Sequence, residues 1–406
     1  MRTPARLLSR AGALGAALVL AATATAVADP GARAREDVAV EWFDVTAETL
    51  SAAGAPTQIT NSRTWAIGWT AATRALGRGD SAAYQDAAVA GAVHHTLVTL
   101  VPAREAELDA ELAATLERVP DGSAEDRGLA AGREEAAALL AEREGDGLDP
   151  TSVGVPFAAP QSAPGVWQPT PPAFGPGLQA GNRDARPFLL ESPDQYRLAP
   201  PPALGSERYE RDLAEVRDYG AADSAVRSPR QTETATFWYG SSYTLYTTPL
   251  RVALTRSRAS LPERAALLAL FHVASVDTQI ATSDSKYAYL RWRPVTALRA
   301  GGDAGWTPLH VTPSHPDYPS GHGTYSGAAE GVLTALVGPR TAPFELTSPT
   351  APGVTRAYTT WRQMSQENID ARVWSGIHTR AADEAGVELG LDVAAHTLRH
   401  AHELFR

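Results

Sequence analysis

Lys286 and Arg293 stand seven residues apart in KYAYLRWRP. The chain carries 36 basic side chains, and Lys286 is its single lysine; the other 35 are arginines. Lysine is a compact, strongly hydrated point charge and arginine a planar fork, so the two are not interchangeable. Seven residues make about two helical turns, which predicts both cations on one helix face. Pro294 follows at once and predicts a break that aims Arg293. Two cations on one face with few acids between them want an anion. Alone, the segment also fits a solvated face shared with Arg291 and Arg299.

A second segment reads HPDYPSGHGTYSGAAEGVLTAL. Ser320 is placed to cap a helix of small residues, and the first N–H groups of a helix lack internal partners. Gly321 lets a ligand come close to the backbone. That geometry takes anions readily. His322 stands beside it as a titratable acid or base. An ordinary capped helix with a surface histidine is the plainer alternative.

The third segment is ARVWSGIHTRAADEAG. Arg372 and His378 are six apart, which is not one helix face, so a turn is expected near Ser375 and Gly376. Arg372 can grip two oxygens at once. His378 offers a nitrogen that can bond to a central phosphorus or vanadium. A salt-bridged arginine and a satisfied histidine would look the same in this segment alone.

In chain order the three segments read Lys-x6-Arg-Pro, Pro-Ser-Gly-His and Arg-x5-His. This pattern resembles the signature of the superfamily shared by vanadium-dependent haloperoxidases and type 2 phosphatidic-acid phosphatases, which includes bacterial acid phosphatases. KYAYLRWRPVTALR and HPDYPSGHGTYSGAA are most similar to bacterial members of the haloperoxidase branch. The likeness covers residues 286–383, with looser likeness from WQPTPP at 167. It implies that Lys286, Arg293 and Arg372 neutralise the equatorial oxygens of bound vanadate. It implies that Ser320 and the Gly321 amide hydrogen-bond those oxygens, that His378 is the direct ligand to vanadium, and that His322 moves the proton at the apical oxygen. Lys286 would also polarise bound peroxide.

Two positions depart from that pattern. Ala371 stands where a serine usually precedes the arginine. Ala382 stands where the pattern has an aspartate four residues after the ligand histidine, and Asp383 follows one residue late. That leaves the His378 tautomer to another acceptor. Asp277 and Asp284 are candidate partners for the cationic pocket, with exposed helix acids the plainer reading of Asp284. His315, seven before His322, is a candidate for the pocket lining or an exposed loop histidine.

The elements that must position these groups read as all-α. Helical spacing is expected over residues 37–53, 59–76, 81–101, 103–118 and 124–144, then 206–219, 230–247, 261–281, 284–299, 320–337, 353–367 and 379–404. No sustained alternation predicts a strand. The expected architecture is a set of helical bundles, which the resemblance makes two packed four-helix bundles. Residues 1–28 read as a signal peptide, 29–145 as an N-terminal helical half, and 206–406 as a catalytic half in the same domain. Between them, residues 146–205 are rich in proline and glycine. Trp167, Phe174 and Phe188 predict that this segment packs as a strap. The apolar faces carrying Trp42, Phe43, Trp65, Trp69, Leu97 and Leu139 are expected core. His94-His95 and the His396, His400 and His402 set lack a ligand series specific for metal.

Arg2, Arg6 and Arg10, an apolar run and Ala26-Val27-Ala28 compose the leader, so a secreted protein is expected. No other stretch approaches the roughly 18 apolar residues of a membrane span. The chain has no cysteine, so stability must come from its core. Its formal charge of -10 argues against a general nucleic-acid partner. Three functions stay open. One is a vanadate-dependent haloperoxidase using hydrogen peroxide and a halide, with a small organic acceptor. One is an acid phosphatase working through a phospho-histidine, with phosphate in place of vanadate. One is a non-catalytic oxyanion-binding helical protein.

Overall fold

The computed structural model describes residues 37–54 and 57–406, and among them fourteen α-helices form, many behind a residue whose side chain caps the first turn. The leader expected at residues 1–28 lies outside the described residues. In the N-terminal half, α1 is Val38–Ala52, α2 Gln58–Leu76, α3 Ala82–Leu100, α4 Glu105–Leu116 and α5 Ser123–Glu142. Asp37, Thr57 and Ser81 cap α1, α2 and α3 with side-chain oxygens on backbone N–H groups. The short α6, Pro150–Val153, begins the proline-rich segment. Then come α7 Glu207–Gly220, α8 Pro229–Phe237, α9 Ser242–Arg256, α10 Leu261–Tyr289 and α11 Pro294–Ala300. The chain ends with α12 Gly321–Val337, α13 Trp361–Trp374 and α14 Arg380–Leu404.

The helices pack as bundles around α10. On one side α10 meets α2, which leads to α3 and α5; on the other it meets α12 and α14. Trp42, Phe43, Trp65, Trp69, Leu97 and Leu139 are all buried core. Burying side chains of this size contributes about 1.5–3 kcal/mol each. Helix α10 is long and apolar enough to cross a membrane by length and composition, contrary to the expectation that no such stretch follows the leader. It is the central core helix, with 89% of its most apolar window buried inside the protein.

Helices α12 and α14 touch backbone to backbone. A Cβ at Gly327 would lie 2.1 Å from the Val387 carbonyl, and one at Gly390 2.1 Å from the Thr324 carbonyl. Only glycine permits that approach. It presses the start of α12 against the start of α14, where the second and third motifs lie.

The sequence expectations fail at three places. Residues 353–367 are not one helix: β1 (Arg340–Thr347) and β2 (Thr355–Thr360) form an antiparallel hairpin before α13. The buried face of β2 includes Arg356, paired with Glu233 and Glu367, and this breaks the apolar alternation that marks a strand. Residues 230–247 split into α8 and α9 around Gly240. Helix α10 runs unbroken to Tyr289, and Leu290 closes it in the left-handed region (φ 47°).

Residues 146–205 lie across α10. The Asp277 carboxylate accepts N–H bonds from Phe188, Leu189 and Leu190 at 2.7–3.1 Å. Asp284 forms a two-pronged pair with Arg197, at 2.6 and 2.8 Å. Both acids therefore hold this segment and not the cationic cluster, because their side chains leave α10 on the face it covers. Trp167 is fully buried and its backbone N–H donates to the Leu290 carbonyl. Phe174 is 62% exposed, so it does not pack as expected.

Candidate oxyanion site

Lys286 projects from the last turn of α10, but Arg293 is not on that helix. The turn at Leu290 leads into an extended stretch paired at Val166 and Arg291. Arg293 is the N-cap residue of α11 in extended backbone, as a residue before proline prefers. The two cations reach the site from two elements. Each is fully buried, Lys286 at 1% and Arg293 at 0% exposure. Arg372 arrives from the last turn of α13, at 1%.

Backbone carbonyls hold all three. Lys286 Nζ donates to the Pro316 carbonyl at 2.7 Å. Arg293 donates to the carbonyls of His315 and Ile377, both at 2.6 Å. Arg372 Nη1 reaches the Trp238 carbonyl at 3.2 Å, and Arg372 Nε has no partner. Among the described residues, none of the three forms an ion pair. Other buried arginines do: Arg143 pairs with Asp146, and Arg356 with Glu233 and Glu367. Burial pulls Arg293 and Arg372 down to about 10. Burial, then the neighbouring Arg293, holds the Lys286 amine well below its usual range.

Ser320 is the N-cap of α12; its hydroxyl oxygen accepts the Gly323 N–H at 3.3 Å, which leaves its proton free to donate. The Ser320 N–H is spent on the Ala382 carbonyl, tying α12 to the start of α14. The Gly321 and His322 N–H groups have no place in the helix ladder. Beyond its own helix and chain neighbours, no atom lies within 4 Å of where a Gly321 Cβ would stand. An anion can approach there.

His378 follows a turn in which Gly376 takes φ 77°. Its Nδ1 lies 2.7 Å from Asp317 Oδ1, and Thr379 donates to Asp317 Oδ2 at 2.7 Å. A carboxylate only accepts, so Nδ1 carries the proton and Nε2 is the bare nitrogen. Arg293 Nη1 lies 3.3 Å from Nδ1 and 3.0 Å from Nε2 of this ring. Near-equal reach to both nitrogens puts the guanidinium over the ring face rather than in line with either lone pair. Asp317 does the work left open by Ala382. Asp317 lies inside HPDYPSGH, and its signal in the sequence is an acid among prolines, three residues before the helix cap.

His322 Nε2 is 2.8 Å from the Gly240 carbonyl. A carbonyl cannot donate, so Nε2 carries the proton and Nδ1 is an acceptor. Burial, then the Arg372 charge, holds His322 well below its usual value; burial and Arg293 do the same to His378. Both rings are neutral at pH 7. His315 is a lining group and not an exposed loop residue: its Nδ1 is 3.0 Å from Arg293 Nη2, and its ring centre lies 6.5 Å from that of His378.

The structure thus brings Lys286, Arg293, Ser320, Gly321, Arg372 and His378 to the meeting point of α10, α11, α12, α13 and α14, with His322 beside them. The fields of Lys286, Arg293 and Arg372 all act on His322 and on His378. Two buried acids, Asp317 and Asp383, face three buried cations. Excess positive charge in a dry site, with an unpartnered Arg372 Nε, suits a tetrahedral or five-coordinate oxyanion.

The other histidine sets are used elsewhere. His94 meets Asp109, His396 meets Tyr196 and the Leu189 carbonyl, and His400 meets Glu403. No group of three acids or histidines among the described residues is placed to hold a metal ion.

A sequence model described as the VCPO second helical-bundle domain matches residues 266–406. Vanadium chloroperoxidase of Curvularia inaequalis is 30% identical over 173 residues, covering 33% of this chain and 28% of the relative. The chain thus matches less than a third of that relative's length. The crystal structure of the first bacterial vanadium-dependent iodoperoxidase superposes with a TM-score of 0.74 at 24% identity, over 88% of this chain and 94% of that one. A holo-type bacterial vanadium-dependent chloroperoxidase superposes with a TM-score of 0.66 at 15% identity, over 90% and 93%. The chain has the helical fold of these vanadium-dependent peroxidase structures, and residues 266–406 match the sequence model of a VCPO second helical-bundle domain.

Proposed function

We propose that this protein is a secreted, vanadate-dependent haloperoxidase that oxidises a halide with hydrogen peroxide to hypohalous acid. The observation that carries the reading is the trio of buried cations anchored on backbone carbonyls without a carboxylate partner, gathered at the open N-terminus of α12. Vanadate would be held by Lys286, Arg293, Arg372, the Ser320 hydroxyl and the Gly321 N–H, with His378 Nε2 facing its central atom. When bound, vanadate would supply a Lewis-acidic centre for oxygen transfer from peroxide to halide with no change in its own oxidation state. Asp317 fixes the His378 ring so that Nε2 and not Nδ1 faces inward. His322 Nδ1, neutral and bare, would accept and return a proton beside the bound anion. Lys286, buried and dry, polarises an oxygen beside it. The leader motif supports export, and N-terminal sequencing of the mature protein tests it.

A phosphomonoesterase reading rests on one observation of its own. A histidine nucleophile needs an acid to orient it, and Ala382 stands where that acid would follow His378. Asp317 supplies that partner at 2.7 Å, so His378 Nε2 is oriented for attack on phosphorus as well. One preparation decides between them: purified protein, with and without orthovanadate, assayed for bromide and iodide peroxidation and for p-nitrophenyl phosphate hydrolysis. Vanadate-dependent halide oxidation is the expected result. Hydrolysis without it, inhibited by vanadate, overturns the haloperoxidase reading.

A further inference from the structure

Both oxygens of the Asp383 side chain are fully buried and close no hydrogen bond within 3.5 Å, although the Ser320 hydroxyl stands near enough to favour its ionised form. Other buried aspartates are well supplied. Asp146 accepts from Arg63, Arg143 and the Leu148 N–H. Asp212 accepts from Arg208 and the Ala381 N–H. Asp277 accepts three N–H groups, and Asp317 accepts from His378 and Thr379. Asp383 departs from this rule at the place where the three motifs meet.

We infer that Asp383 is a further binding group of the oxyanion site, present as a neutral carboxylic acid that donates a hydrogen bond to the bound oxyanion. The inference rests on the oxyanion reading above. Position supports it first. One residue is about 100° of helix rotation, so moving the acid from position 382 to 383 turns it away from His378. It now lies under the fields of Lys286 from α10, Arg293 at the head of α11 and Arg372 from α13. Ser320 at the cap of α12, Asp317 from the preceding loop and Arg380 on its own helix complete its surroundings.

Charge supports it next. A carboxylate among three buried cations would be expected to close an ion pair, yet Asp383 forms none with them. An ionised carboxylate would also repel the anion the site is built to take. The neutral acid has a proton to give and no charge to oppose. Burial pushes the Asp383 carboxyl well above the usual range, and the Ser320 hydroxyl and Arg372 only partly offset it. The acid left orphaned by the protein gains its partner when the anion enters.

The test compares wild type, Asp383→Asn and Asp383→Ala at pH 7. Apo protein is titrated calorimetrically with orthovanadate, and infrared difference spectra are taken between wild type and the Asn variant. Asn keeps a donor without charge and should bind as wild type does. Ala should bind about tenfold more weakly, the worth of one hydrogen bond to a charged group. The difference spectrum should carry the carbonyl stretch of a protonated acid. Tighter binding by Asn than by wild type, wild-type binding by Ala, or a carboxylate band alone would overturn the inference. The infrared result stands even if a variant binds poorly through misfolding. A wild-type protein that takes no vanadate would instead overturn the oxyanion reading beneath it.

Discussion

Arg372→Met separates a residue kept for folding from one kept for an anion. Arg372 is 1% exposed, holds one carbonyl at 3.2 Å, and leaves Nε without a partner. A buried arginine so poorly paired contributes little to the anion-free fold. Replacing buried ions with apolar groups of similar volume is often neutral or stabilising by about 1–4 kcal/mol. With Asp383 neutral, the change would leave two buried cations, Lys286 and Arg293, beside the one buried carboxylate of Asp317. Vanadate affinity should move the opposite way. Losing one hydrogen bond to a charged group costs about 1.5–3 kcal/mol, or roughly 10- to 150-fold in affinity. A full unit charge at about 4 Å and an effective dielectric of about 20 is worth roughly 4 kcal/mol, which sets the upper bound near 1,000-fold. Urea unfolding of the apo protein and calorimetric titration with orthovanadate read the two effects separately. An apo protein destabilised by about 3 kcal/mol or more, with vanadate affinity unchanged, would make Arg372 structural and refute the reasoning.

Further variants divide the remaining roles. His322→Ala should abolish halide oxidation while vanadate stays bound, and unchanged turnover with monochlorodimedone would count against a proton-transfer role. His378→Ala should weaken vanadate binding sharply, so an unaltered titration would reject it as the ligand. Asp317→Asn leaves a buried donor unmet beside His378 and removes a charge that offsets Arg293, so urea unfolding should show a loss of about 2–4 kcal/mol. Asp284→Asn, whose partner Arg197 is 42% exposed, should lose about 1 kcal/mol or less; equal losses would show that Asp317 is not the special one. Gly327→Ala places a Cβ 2.1 Å from the Val387 carbonyl. It should cost about 1–3 kcal/mol or more and shift Ser320, read as a lower melting temperature and weaker vanadate binding together.

The helices were legible because their spacing and caps agree: Ser320, Thr57 and Ser81 each sit at the boundary they mark. The hairpin was not, because a buried Arg356 and only a few inward apolar residues leave no alternation to read. The cationic residues were legible as types at fixed intervals. Their routes into the site were not. Lys286 and Arg293 look like neighbours on one helix, yet Leu290 in the left-handed region ends that helix between them. Asp317 was hidden for a different reason. The acid expected to orient His378 was sought downstream of it, while the acid that does so stands 61 residues upstream and meets it only through the fold.

The way the cations are anchored explains how a folded protein keeps them ready. A carboxylate partner would fix each charge and cancel it, leaving nothing for an incoming anion. A carbonyl is a dipole: it fixes the direction of the donor and leaves most of the charge uncompensated. Lys286, Arg293 and Arg372 all use carbonyls, from Pro316, His315, Ile377 and Trp238. The loop from His315 to Ser320 then serves several groups at once. It supplies acceptors to Lys286 and Arg293, the carboxylate that turns His378, and the cap of α12. Rearranging that loop would disturb charge, ligand orientation and helix terminus together. The stability given up by leaving three buried charges unpaired is regained only when an oxyanion fills the space beside Gly321, so binding and rigidity of this site must rise together.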